Sequence, residues 1–139
     1  MREILFRAKT LSGDEYIDCG EWIEGFYTCF NDEEHRIYTG YSETDCGDHY
    51  PDWFSVDPKT VRQYTGLIDK NGNMIFEGDI VKTDKFSEPN KQYIIKYDLQ
   101  FGAFIGQDKY NIYFVTFDGD SDQFEIIGNK YDNPELLNN

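Results

Sequence analysis

Five positions late in the chain, Asp118-Gly119-Asp120-Ser121-Asp122, alternate carboxylates in the way that opens a calcium-binding loop. A hard cation held there also needs a glycine at the sixth position and a bidentate glutamate at the twelfth, where this chain has Gln123 and Asn129, so no calcium site is expected. Cys46 and His49 are spaced like half of a zinc knuckle, but the other soft ligands, Cys19, Cys29 and His35, are scattered. The expectation is no metal and no cofactor. Three cysteines without regular spacing also speak for reduced thiols rather than a disulfide framework. Asp32-Glu33-Glu34-His35 gathers acid and base groups, yet general acid–base work requires a desolvated cleft, and this run has the character of a solvated surface loop. No serine sits in a nucleophile elbow or beside a Gly-rich oxyanion turn, and both histidines, His35 and His49, lie among carboxylates that favour the imidazolium over a neutral base. No catalytic residue is assigned, and the chain is not expected to be an enzyme.

The chemistry that the residues do suggest is recognition. Thirteen Asp and Glu face a single basic residue, Arg36, between Thr10 and Asp57, a net charge of −12, while the rest of the chain carries −2 of the total −14. Phosphate backbones are bound through Lys and Arg, so free nucleic acid is not expected as a ligand, whereas a basic protein is. Solvation of an aromatic-rich surface is the plainer role for such charge. Aromatics serve as interface anchors, and Trp22, Tyr27, Tyr38, Tyr41 and Trp53 fall in the same window as Glu33 and Glu34. These seven residues are the candidate partner-binding patch. Burial of both Trp22 and Trp53 within one protomer would remove its anchors.

The elements that must position these residues read as strands. Phe, Tyr and Trp make 17% of the 139 residues, which suits half-buried pleated surfaces, and the expected fold is mainly β. No run of eighteen apolar residues occurs, and MREILFRAK lacks a signal-peptide core, so a soluble, cytoplasmic protein without membrane contact is expected. Ile4–Ala8 reads as a first strand. Trp22–Phe30 is the clearest in this half, with Trp22, Phe26 and Phe30 on one face and Ile23, Tyr27 and Cys29 on the other, and both faces are expected to meet apolar surface. Arg36–Tyr41 pairs with it, and Ser42–Asp52 is the expected mobile loop. Asp57-Pro58-Lys59-Thr60 has the cap and proline of a one-turn helix.

Beyond that join, Asn71-Gly72 between apolar triplets suggests a type I′ hairpin turn, Glu77-Gly78-Asp79 a second reversal, and Ile80-Val81 a new strand. Tyr93–Tyr97, Phe101–Ile105, Asn111–Phe117 and Phe124–Ile127 complete five short strands suited to a small barrel. Asn133-Pro134-Glu135-Leu136-Leu137 repeats the cap-and-proline signature and is expected to dock both leucines on the sheet. The organisation is then an acidic β-rich region over 1–61 and a barrel with its docking turn over 62–139, in one compact unit.

With these pieces in place, REILFRAK at the start, GEWIEGFY at Gly20–Tyr27, VDPKTVRQYTGLIDKNGNMIFEGDIVK at Val56–Lys82 and FEIIGNKYDNPELL at Phe124–Leu137 together resemble the YopX family of phage- and prophage-encoded proteins. The resemblance spans nearly the whole chain. It implies a C-terminal SH3-like β-barrel with an additional β-rich N-terminal region, assembly into homo-oligomers and a place in the bacterial host cell, but no activity. The expected function is that of a phage accessory protein acting as a non-catalytic, protein-binding module. The alternatives are an acidic mimic of nucleic acid that blocks a host DNA-binding protein, or a small hydrolase or nuclease on the barrel.

Overall fold

Alternation of apolar and polar side chains sets the strands, and local turn chemistry sets the register between them. The computed structural model describes residues 3–83, 91–110, 113–115 and 123–138; the acidic run Asp118–Asp122 lies outside them. The chain is mainly β, in two antiparallel sheets, and divides into two units, Met1–Gln63 and Tyr64–Asn139.

In the first unit β1 (Phe6–Lys9), β2 (Trp22–Phe30), β3 (Glu34–Glu43) and β4 (His49–Ser55) lie side by side in the order β4-β3-β2-β1. Arg62 and Gln63, which open β5 (Arg62–Ile68), pair with β1. Ala8, Ile23, Ile37 and Val56 are buried together, with Phe6, Ile17, Tyr27, Phe54 and Val61 packed around them. Asp57 caps the short 3-10 helix Pro58–Thr60 by accepting from Lys59 N at 3.0 Å, as its sequence suggests.

The second unit holds the rest of β5, paired with β6 (Met74–Phe76), and a five-stranded sheet. That sheet runs β10-β9-β8-β7-β11, from β7 (Asp79–Thr83), β8 (Lys91–Asp98), β9 (Ala103–Gln107), β10 (Tyr113–Val115) and β11 (Phe124–Asn129). Its core is Ile75, Val81, Tyr93, Ile95 and Phe124. Among the described residues no ladder joins β10 to β11, so the strands form an open sheet and not a closed barrel. After β11 the 3-10 segment Pro134–Asn138 leaves Leu136 half-buried, while Leu137 is 40% exposed, so one leucine docks and not two.

Two turns differ from expectation for a common reason. At Asn71-Gly72 only the glycine has positive φ (83°). Gly72 N donates to Asp69 O, and Asp69 N to Asn73 O. This is a type I turn closed by a left-handed glycine, and not a type I′ turn. The paired left-handed residues that a type I′ turn requires are Asn31 (φ 54°) and Asp32 (φ 58°), between β2 and β3. The second difference is Ser42–Asp52, which is a hairpin and not a loop. Thr44 N donates to Asp48 O and Gly47 N to Thr44 O, so Thr44-Asp45-Cys46-Gly47-Asp48 repeats the bonding of Asp69-Lys70-Asn71-Gly72-Asn73. Thr44 Oγ1 even accepts from Asp48 N, as Asp69 Oδ1 does from Asn73 N.

Candidate interaction surface

Directly opposed residues of neighbouring strands share a face of the sheet. The pairings Phe26↔Tyr38 and Tyr38↔Trp53 therefore draw one aromatic row across β2, β3 and β4. Phe26 is 68% exposed, Trp53 42%, and Tyr38 half-buried. Phe30, exposed and opposite Glu34, extends the row along β2, and the exposed Tyr41 follows a register shift between Tyr38 and Gly40. The face carrying Phe26 and Phe30 thus remains open, against the expectation that both faces of β2 are covered. The other face carries Ile23 and meets the core.

Cations of this unit gather on the same open face. Arg36 holds its guanidinium 3.9 Å from the Trp53 ring centre and its terminal nitrogen 3.1 Å from Glu34. Trp22 lies under two cations, with Arg62 4.3 Å and Lys9 5.2 Å from its ring centre, while Arg7 pairs with Glu24. Such contacts fix the indoles in place and leave Trp53 partly accessible. Trp53 also borders an open groove of about 670 Å³ between Thr39, Ser42 and Asp52 on one side and Asp14 and Tyr16 on the other.

The seven patch residues consequently divide. Tyr38, Trp53 and Glu34 belong to the aromatic row and its rim, Trp22 lies under its cations farther along the same face, and Tyr41 lies beyond the register shift. Glu33 sits exposed in the β2–β3 turn. Tyr27 points the other way, into the core beside Phe6, and does not join the surface. Phe26, Phe30 and Arg36 are the participants missed from sequence. For Phe26 and Phe30 the signal was present in the alternation of β2, which puts aromatics on both faces of one strand.

On the core side, Tyr27 OH is 2.6 Å from His35 Nδ1, and Cys29 Sγ is 3.9 Å from His35 Nε2. His35 is half-buried on β3 and not in a solvated loop, because pairing of β3 with β2 carries it inward. Burial pushes the Tyr27 phenol up from its usual range, with Cys29 and Asp32 adding to the effect. No group of three or more His, Cys, Asp or Glu is arranged to hold a metal among the described residues, and no described helix is long and apolar enough to cross a membrane.

A two-unit antiparallel β protein, with an aromatic sheet face in its acidic unit, is the class these features define. The chain belongs to the YopX family, whose model, described as YopX protein, matches residues 6–138. Among solved structures it is similar to the crystal structure of protein EF1440 from Enterococcus faecalis, at 26% identity and a TM-score of 0.66, over 99% of each chain. No curated protein matches it.

Proposed function

We propose that this chain is a phage or prophage accessory protein that works in the bacterial cytoplasm as a non-catalytic, homo-oligomeric binding module, and that its acidic unit engages a basic protein. The observation that carries this reading is the Phe26–Tyr38–Trp53 row, exposed at both ends on a unit whose Thr10–Asp57 stretch has a net charge of −12. Aromatic side chains bury large area at little entropic cost, and a carboxylate rim selects for basic partners through steering and register. An SH3-like origin for the second unit is supported by its strand order, in which β7 to β10 meander and β11 returns beside β7.

A second reading, in which the acidic unit imitates nucleic-acid phosphate, draws on the exposed run Asp32-Glu33-Glu34. Capture from nuclease-treated host lysate, with wild type beside Phe26→Asp and Trp53→Ala, separates these readings. A basic protein held at low salt, released at high salt and lost from both variants supports the module. Displacement of that protein by DNA favours the mimic instead, and binding unchanged by either substitution overturns the use of this face. Sedimentation of the purified protein tests the oligomer, since a monomer at all concentrations removes that part of the reading.

A further inference from the structure

Three cysteines are exposed on this chain, and they sit in three different environments. Cys19 Sγ lies 3.1 Å from Leu11 O and 3.9 Å from Thr10 O, among backbone carbonyls. Cys46 occupies the β3–β4 turn between Asp45 and Asp48. Among the described side chains, that of Cys29 faces an imidazole. It is the direct cross-strand partner of His35, its sulfur 3.9 Å from Nε2.

That imidazole is held by its other nitrogen. Tyr27 OH bonds Nδ1 at 2.6 Å, and the two rings lie nearly parallel, 11° apart. We take His35 in the tautomer protonated at Nδ1, in which the Tyr27 oxygen accepts from Nδ1–H and the Nε2 lone pair is turned toward sulfur. A nucleophile, a base in reach and a third group orienting the base is the arrangement that activates a thiol.

We propose that Cys29 is a reactive thiol, activated by His35 with Tyr27 as its positioning residue, and that it exchanges with low-molecular-weight disulfides of neutral or positive charge. His35 Nε2 takes the Cys29 proton. The thiolate then attacks one sulfur of the disulfide, a new S–S bond to Cys29 forms, and the second sulfur leaves with the bonding pair and is protonated by the imidazolium. Cys29 is oxidised and half of the small disulfide is reduced, so no other reductant or oxidant enters. The charge preference follows from Asp32, Glu33 and Glu34 in the adjoining turn, with Arg36 drawn away toward Glu34 and Trp53.

The test follows the full-length protein by mass spectrometry, reading each cysteine separately during reaction with iodoacetamide and with cystamine at pH 7. Cys29 is expected to react about tenfold faster than Cys19 or Cys46, and His35→Gln to remove that advantage while the other two rates stay unchanged. Tyr27→Phe keeps the ring packing and is expected to lower the Cys29 rate severalfold. Equal rates at Cys29 and Cys46, or a Cys29 rate indifferent to His35→Gln, would overturn the proposal. A misfolded variant is recognised by acceleration at Cys19 and Cys46, and Tyr27→Phe then decides.

Discussion

Asp69 is 2% exposed and has no lysine or arginine beside it in its hydrogen-bond set. Its Oδ1 accepts from Asn71 N and Asn73 N, and its Oδ2 from Ile126 N, tying the β5–β6 turn to β11. Burial by itself raises a carboxyl pKa; here the amide bonds from Asn73, Ile126 and Asn71 outweigh it, and the group titrates below its usual value. A depressed folded-state pKa contributes stability that is complete above the unfolded value and is lost as pH falls through the folded one. Asp69→Ala is expected to cost about 3 kcal/mol in urea unfolding at pH 7, and less as acid removes the same charge from the wild type. An equal loss at pH 7 and at pH 2 would show that the charge is irrelevant. The sequence announced a turn at this place but not this carboxylate, because a bond from Asp69 to Ile126 spans 57 residues and leaves no local trace.

Turns, more than strand propensities, set the elements. Gly78 between β6 and β7 has φ 83°, donates to Ile95 O and accepts from Lys130 N, and a β-carbon there would come within 2.9 Å of the Tyr131 ring. Gly78→Ala is expected to lower stability by about 1–3 kcal/mol in the same unfolding measurement, and wild-type stability would show that the turn relaxes freely. Most strands could be read from period-two alternation, which worked wherever one face is apolar and the other polar. It failed for the end of β3 and the start of β4, within Ser42–Asp52, a mostly polar stretch whose strand conformation comes from the pairing of its two arms. The chain did carry a clue, since Thr44…Gly47-Asp48 and Asp69…Gly72-Asn73 share one pattern of capping side chain, left-handed glycine and bonding. The patch was legible in its composition but not in its geometry, because whether Tyr27 or Phe26 faces solvent depends on which side of β2 meets Ala8, Ile37 and Val56.

At the scale of the molecule, charge is unevenly spread, with −12 of the −14 confined to Thr10–Asp57. Self-repulsion of that density is screened by salt, so the melting temperature is expected to rise by a few degrees between about 0.01 M and 0.5 M sodium chloride, as calorimetry would record. A flat or falling response would mean that the ion pairs Arg7–Glu24, Arg36–Glu34, Lys82–Glu125 and Lys91–Asp108 outweigh the repulsion. The two tryptophans also stand in unlike surroundings, Trp22 half-buried beneath Lys9 and Arg62, and Trp53 more exposed beside Arg36. The molecule thereby carries its own optical gauge. A neutral quencher such as acrylamide reaches the emission of Trp53 more readily than that of Trp22, and anything that settles over β4 dims or shifts the first indole apart from the second, which lies farther along the same face.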